Sequence, residues 1–173
     1  PQEIMHQLDE YIVGQERTKR VLERVQALSP LLTDPVRAVR ITAARNLSFV
    51  PIDQLDAATR PAFEAALLEY ITAQSFALDM PGAHLNLAVV YENTGRPNLA
   101  EQHYLSALKI DPDFTPARAN LARLYSALSR NADGVRVLVE GLKRLPELGE
   151  LQYSLGLLLA EEKRMEEATA ALG

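Results

Sequence analysis

Histidines and paired glutamates are the side chains of this sequence that are best suited to acid–base or metal chemistry. The histidines are His6, His84 and His103, and no two of them have the four-residue helical spacing of a zinc site. Glutamates are paired at positions 161–162 and 166–167, on either side of a basic dipeptide, in an expected exposed turn without an apolar pocket that would raise their pKa. We therefore expect packed or solvated histidines, a charged solvent-facing turn, and neither a catalytic centre, a metal site nor a cofactor.

The composition fits a folded protein and excludes several classes of function. Of the 173 residues, 47% are hydrophobic, which suffices for a core, and no apolar run reaches the length of a membrane helix. The absence of cysteine excludes disulfides, thiolate metal sites and covalent c-type haem. A net charge of -5 argues against a nucleic-acid partner, because phosphate binding needs a basic surface. The chain starts at Pro1 without an initiator methionine, so we expect a processed or excised piece of a cytoplasmic or periplasmic protein.

A spacing of 34 residues organises the second half of the chain. The segment NLAVVY at 86–91 recurs 34 positions later as NLARLY at 120–125, and more loosely as SLGLLL at 154–159. Small, large and proline residues also recur at matching positions between these segments. In the first interval they are Ala100, Tyr104, Ala107 and Pro112, and in the second they are Gly134, Leu138, Gly141 and Pro146.

Each unit of this spacing reads as two packed helices. Small residues at Ala88, Ala122 and Gly156 would let the helices approach closely, and a proline at the end of the unit would stop the second helix. The space beside the small residues would be filled by Tyr91, Tyr104 and Tyr125. Over residues 81–173 this order resembles the tetratricopeptide repeat. The resemblance implies an all-α fold, a right-handed α–α superhelix in which each helix pair is stabilised by its neighbours.

The tetratricopeptide resemblance also implies a ligand-binding groove. In that family the first helix of each pair lines the concave side of the array. Asn86 and Asn120 can donate to and accept from a peptide backbone, and Arg123 could hold a carboxylate. The groove residues implied are Asn86, Val89, Asn93, Asn120, Arg123, Tyr153 and Leu157, with Leu85, Glu92, Ala119, Ser126, Ala127, Glu150, Ser154 and Glu161 at neighbouring groove positions. The expected function is a non-catalytic scaffold that binds a peptide or protein partner.

One known ligand class of such repeats does not fit this groove. Repeat proteins that clamp the acidic tails of heat-shock chaperones carry lysine and asparagine where this chain has Leu85 and Val89. Asn120 matches the asparagine of the second clamp repeat, but the basic cradle is missing. The resemblance therefore argues against a chaperone-tail adaptor.

The residues before the repeats predict further helix pairs. Ala66, Tyr70 and Ala73 stand 34 positions before their counterparts in the first full repeat, so residues 61–80 read as half of another one. Upstream, Asp34 can cap a helix that has Pro35 at its first position. One face of that helix would hold Val36, Val39, Ala43 and Leu47.

Residues 34–47 resemble the second helix of a HEAT repeat, with residues 21–32 as the first helix. An ordinary amphipathic helix is the alternative. The order of a HEAT-like pair followed by tetratricopeptide units is similar to bacterial proteins in which such repeats are attached to multihaem cytochromes. Because this chain has no Cys-x-x-Cys-His motif, it would be a non-haem accessory portion there.

Residues 1–22 follow neither repeat pattern. The stretch LDEYIVGQ at 8–15 resembles the opening of the ATPase module in unfoldase subunits of bacterial Clp and Hsl proteases, where it lies beside the adenine of ATP. No Gly-x-x-x-x-Gly-Lys-Ser/Thr motif follows, so the chain lacks the loop that cradles phosphates. We interpret the segment as a packing helix. A foreign fused segment and a fragment related to an unfoldase are the alternatives.

The C-terminal end of the repeats predicts self-association. The third repeat stops at Gly173, and a last helix pair without a cap exposes its stacking surface. Residues expected at that exposed end are Leu155, Leu158, Leu159, Ala168 and Leu172, and we expect copies to associate through these helices. The predicted segments of the chain are 1–22, 23–60 (HEAT-like), 61–80 (half repeat), 81–114, 115–148 and 149–173.

Overall fold

The computed structural model describes residues 15–16 and 18–172, and this part of the chain is helical without a β-strand. The prediction of an all-α fold is therefore confirmed. Helix α1 comprises residues 18–28, and the following helices are α2 (Arg37–Leu47), α3 (Thr59–Ser75), α4 (Pro81–Asn93), α5 (Pro97–Ile110), α6 (Thr115–Ala127), α7 (Asn131–Arg144), α8 (Gly149–Glu161) and α9 (Met165–Leu172). Most of the unfoldase-like segment, including His6, lies outside the described residues. Among the helices described, none has the length and apolar character needed to cross a bilayer.

The chain forms two compact units, with the boundary between Ala73 and Gln74 inside α3. In the first unit, Arg40 of α2 holds α3 by donating from Nε and Nη2 to the two carboxylate oxygens of Glu69, at 3.0 and 2.8 Å. Its buried residues on these two helices are Ala43, Ala44, Leu47, Phe63, Ala66, Leu67 and Tyr70. The HEAT-like interpretation of this unit stays a prediction.

Helix α2 begins two residues later than predicted. It starts at Arg37 with Val36 as its N-cap, because the Asp34 carboxylate accepts the N–H of Val36 at 2.7 Å in the preceding turn. Val36 is consequently 54% exposed, and its assignment to the apolar face was wrong. Val39 is half-buried, whereas Ala43 and Leu47 are buried on that face as expected.

The second unit consists of three consecutive helix pairs, α4–α5, α6–α7 and α8–α9, each packed on the next. Ala88, Ala122 and Gly156 are buried, as expected for positions where helices approach closely. Tyr104 and Tyr125 are also buried, whereas Tyr91 is only half-buried. The prolines follow the second helices as predicted, since α5 and α7 end two residues before Pro112 and Pro146.

The turn inside each helix pair repeats with the same spacing. Gly95, Ser129 and Lys163 stand 34 positions apart, and all three have positive φ values of 73°, 58° and 61°. Glycine adopts this left-handed conformation freely, whereas serine and lysine adopt it at a cost of about 1 kcal/mol. The three turns therefore share one geometry, although only the first has the residue that favours it.

Candidate functional site

Helices α6 and α8 form a socket that contains three of the predicted groove residues. Its volume is about 250 Å³. Asn120 and Arg123 of α6 and Leu157 of α8 line it, so the structure brings these three predicted residues together. The complete lining is Ala119, Asn120, Ala122, Arg123, Ser126, Leu138, Ser154, Leu157, Leu158 and Glu161.

The socket exists because small residues of α6 stand opposite large residues of the neighbouring helices. Ala119 and Ala122 leave space that longer side chains would fill. Leu138 of α7 and Leu158 of α8 are buried, at 0% and 5% exposure, whereas Leu157 is 49% exposed and accessible from solvent. The socket is therefore an apolar depression with a polar edge, which suits an aliphatic side chain of a partner.

Arg123 is already paired within the chain. Its Nη1 and Nη2 donate to Oε1 and Oε2 of Glu92 on α4, at 2.7 and 3.1 Å, and Tyr104 Oη donates to the same Oε2 at 2.8 Å. Burial is the main cause that raises the pKa of Tyr104, and the charge of Glu92 adds to it, so the phenol stays a donor. A partner carboxylate would have to displace Glu92 from this bidentate pair. The expectation that Arg123 holds a ligand carboxylate therefore has no support in the contacts of the free chain.

Glu161 of α8 also lines the socket. Ser126 Oγ donates to Glu161 Oε2 at 2.9 Å, which ties the C-terminal ends of α6 and α8 together. Among the described residues no basic side chain lies within ion-pair distance of Glu161. The adjacent Glu162 and Glu167 bind Arg164 instead, so this acidic cluster is mainly a paired surface turn.

The groove residues Asn86, Val89, Asn93 and Tyr153 lie outside the socket, whereas the neighbouring groove positions Ala119, Ser126, Ser154 and Glu161 line it. Asn86 Nδ2 donates to Gln74 Oε1 at 3.1 Å, and Val89 packs against the core of the first two helix pairs. Asn93 is half-buried at the end of α4. Tyr153 is 59% exposed on α8 and does not line the socket. Their roles in binding stay predictions.

His84 of α4 and His103 of α5 are in contact, which was not predicted from the sequence. His84 Nδ1 and His103 Nδ1 are 2.8 Å apart, and the His103 ring stacks on Tyr91. His84 Nε2 lies 3.2 Å from the carbonyl oxygen of Leu78 and must donate to it, so His84 Nδ1 accepts a hydrogen bond from His103 Nδ1–H. Within the described residues no group of three metal-ligating side chains occurs.

The histidine pair makes stability depend on pH. Burial, followed by the nearby His84, lowers the pKa of His103 below its ordinary value of 6.5. The imidazole of His103 therefore binds a proton more readily in the unfolded chain than in the folded chain. Its contribution to the free energy of unfolding is fully present above a pH of about 6.5 and is lost as the pH decreases. We expect the midpoint temperature of thermal unfolding to decrease when the pH is lowered from about 7.5 to about 5.5. The decrease should be smaller for His103→Gln than for the wild type. Equal pH slopes for the two proteins in calorimetry would contradict this prediction.

Four apolar residues that were expected at an exposed C-terminal end are buried. Leu155, Leu158, Leu159 and Ala168 are between 3% and 7% exposed, and they pack with Leu138 and Leu151 in one cluster. Helix α9 and α7 cover them, so their expected exposure was wrong. The side chain of Leu172 lies outside the described residues. Among the side chains described on α8 and α9, the large apolar ones that are exposed are Tyr153, Leu157 and Met165.

Comparisons with known proteins agree with the prediction that the second unit consists of repeats. A family model described as tetratricopeptide repeat matches residues 81–114, and a second with the same description matches residues 120–172, so together they cover half of the chain. None of the curated proteins compared with the chain matches it. Among solved structures, "Crystal structure of MamA" has a TM-score of 0.55 and 13% identity, covering 91% of this chain and 88% of that one. "MamA MSR-1 C2" has a TM-score of 0.51 and 13% identity, covering 88% and 92%. At this identity, the two structures support the fold alone.

Proposed function

The chain belongs to the tetratricopeptide repeat family, and we propose that it is a non-catalytic scaffold that binds an extended segment of a partner protein between α6 and α8. Membership of the family supports an interaction scaffold built from these repeats. The socket supports the binding of an extended segment between α6 and α8, because its lining combines the half-exposed side chain of Leu157 with the carboxamide of Asn120.

The shape and chemistry of the socket favour a peptide over a small molecule or a reaction. Its volume of about 250 Å³ is below the range of roughly 300–1,000 Å³ that is usual for small-molecule sites. The lining offers one amide, two hydroxyls and two charged groups, one of which is already paired. These groups can hold a side chain and a backbone amide. The one hydroxyl–carboxylate contact among them, from Ser126 to Glu161, has no histidine or lysine of the lining beside it to complete an activated nucleophile. Neither a relation to protease unfoldases nor a role beside a multihaem cytochrome is favoured by the comparisons.

Two substitutions test the socket. Peptides recovered from a random phage-displayed library on the wild-type chain should bind Asn120→Ala/Leu157→Gln about tenfold less tightly, as judged by fluorescence anisotropy. The loss combines roughly 1 kcal/mol of apolar contact with about 0.5–1 kcal/mol for a hydrogen bond. Both residues are at the surface of the folded chain, so helicity by circular dichroism should be unchanged.

Leu105→Gln is the matched control for this test. Leu105 is 45% exposed, close to the 49% of Leu157, but it lies on α5 and not on α4, α6 or α8. The recovered peptides should bind this variant as tightly as the wild type. Equal binding to the double variant and to the control would place the peptide site outside the socket.

Self-association through the C-terminal helices is a second, finer proposal. It rests on Tyr153, Leu157 and Met165, which are 59%, 49% and 61% exposed, because the leucines first expected there are buried. We expect the weight-average mass in light scattering to rise with concentration, and Met165→Glu to reduce the rise. A constant monomer mass over the whole concentration series would reject this proposal.

A further inference from the structure

We infer that the segment bound between α6 and α8 places a lysine or arginine against Glu161, next to an aliphatic side chain that fills the socket. This inference rests on the proposed function and adds to it the charge of the partner. It depends on three observations: the internal pairing of Arg123, the open carboxylate of Glu161, and the helix ends that surround that carboxylate.

The three helices α4, α6 and α8 carry few positive charges, and both arginines among them are engaged. Arg118 is 5% exposed and donates to the carbonyl oxygens of Val137 and Pro112, at 2.8 and 2.7 Å, on the side of α6 that faces α7. Arg123 is neutralised by Glu92. No lysine occurs in these three helices. An acidic segment would therefore find no uncompensated cation on α4, α6 or α8.

The negative charge of the same surface is not fully compensated. The acidic residues of α4, α6 and α8 are Glu92, Glu150 and Glu161, and only Glu92 has an ion-pair partner within the described chain. Glu150 lies at the start of α8, away from the socket lining, whereas Glu161 belongs to the lining. Lys163, in the turn after α8, makes no ion pair with Glu161 in the described part of the chain.

The backbone adds to the negative potential beside Glu161. Glu161 is the last residue of α8, and its hydrogen-bond partner Ser126 is the penultimate residue of α6. The C-terminal ends of the two helices therefore lie next to each other. Carbonyl groups at the end of a helix carry a partial negative charge, and a cation placed there is stabilised. A basic side chain at this position would contact the carboxylate and both helix ends.

Leu157 and Glu161 are neighbours on α8, and this indicates an aliphatic side chain of the partner beside the basic one. Leu157 precedes Glu161 by four residues, one helical turn, so both project from the same side of α8. A segment that fills the socket beside Leu157 then has its adjacent side chains at Glu161. The partner chemistry is thus an aliphatic residue with a basic residue close by in an extended segment.

A charge-reversal selection tests this inference. The same random-peptide phage library is selected separately on the full wild-type chain, on Glu161→Lys and on Glu147→Lys. Peptides from the wild type should contain lysine or arginine near an aliphatic residue more often than the unselected library. Their synthetic versions should bind Glu161→Gln about two- to fivefold less tightly, the range of an exposed ion pair, and this difference should shrink at high salt.

The Glu147→Lys variant is the control for net charge, because Glu147 is exposed in the turn before α8, outside the groove positions and the socket lining, and its reversal changes the net charge by the same amount. It should select basic peptides as the wild type does, whereas Glu161→Lys should select acidic ones. Peptides that need Leu157 but show no charge preference, or an acidic one, would overturn the inference and leave the proposed function in place. A selection in which no peptide distinguishes the wild type from Asn120→Ala/Leu157→Gln would overturn both.

Discussion

Replacing Ala122 by glutamate should lower the free energy of unfolding by about 3–5 kcal/mol, because it places an unpaired carboxylate in the core of the second unit. Ala122 is 3% exposed and packs with leucines of α7 and α8. Its backbone is also close to α7, since a Cβ atom added to Gly134 would lie 3.2 Å from the Ala122 carbonyl oxygen. The carboxylate would have to enter the apolar socket beside Ala122, where the one basic side chain, Arg123, is already paired. Urea unfolding followed by circular dichroism measures the loss.

Ala127→Glu is the matched control for this substitution. Ala127 is the last residue of the same helix and is exposed, so the same change should cost less than about 1 kcal/mol, mainly from the helix dipole. A stability of Ala122→Glu equal to that of the control would mean that α6 does not use this face for packing. It would then contradict the 34-residue register that equates Ala122 with Ala88 and Gly156.

The helical architecture of the second unit could be predicted from sequence because its determinants are local and periodic. Ala88 and Ala122 are buried at equivalent positions and Pro112 follows the end of α5, so the period of 34 residues is sufficient to locate them. The start of α2 was harder to predict. Asp34 and Pro35 fit a cap at the first helical turn, but the carboxylate forms a turn with Val36 and delays the helix by two residues.

The left-handed turns and the histidine contact were not predicted, although the residues that form them occur at regular positions in the repeats. Gly95 marks the left-handed turn of the first pair, but Ser129 and Lys163 at the equivalent positions do not look like turn residues. Likewise, His84 and His103 lie 19 positions apart, which is not a helical spacing within one helix. They meet because α4 and α5 pack side by side. Aligning the two helices of the repeat against each other would have found the pair.

The groove could be predicted as a set of helix faces, but its charges could not. The family pattern assigned Asn120, Arg123 and Leu157 to one surface, and the structure gathers them in one socket. The pattern did not show that Arg123 is bound by Glu92, 31 positions earlier, because such a pair depends on how two repeats stack. The burial of the C-terminal leucines depends on α7 of the preceding pair and on α9 of their own pair. Contacts between repeats therefore set the polarity of the site, and these require the structure.

Gly141→Ala should destabilise the chain by about 2–4 kcal/mol, although alanine usually stabilises a helix by about 1 kcal/mol relative to glycine. A Cβ atom at this position would overlap Arg118 Cδ and would lie 2.7 Å from Arg118 Nε and 2.8 Å from Leu151 Cδ1. Arg118 would have to move, and it would lose its hydrogen bonds to the carbonyl oxygens of Pro112 and Val137. Burial already lowers the pKa of Arg118, which reflects the cost of holding its charge there. Each lost bond to a charged group costs about 1.5–3 kcal/mol.

Gly149→Ala is the control, because nothing lies within 4 Å of a Cβ atom at that position and the change should stay within about 0.5 kcal/mol. A double-mutant cycle with Arg118→Met then isolates the cause. If the collision with the guanidinium is responsible, Gly141→Ala should cost less than about 1 kcal/mol once Arg118 is replaced, because methionine can move aside without leaving a buried charge. The contact with Leu151 remains in both backgrounds, so the difference between them reports on Arg118 alone. Equal costs in the two backgrounds would assign the effect to Leu151, and a neutral Gly141→Ala would show that α6 and α7 are packed less closely than this contact requires.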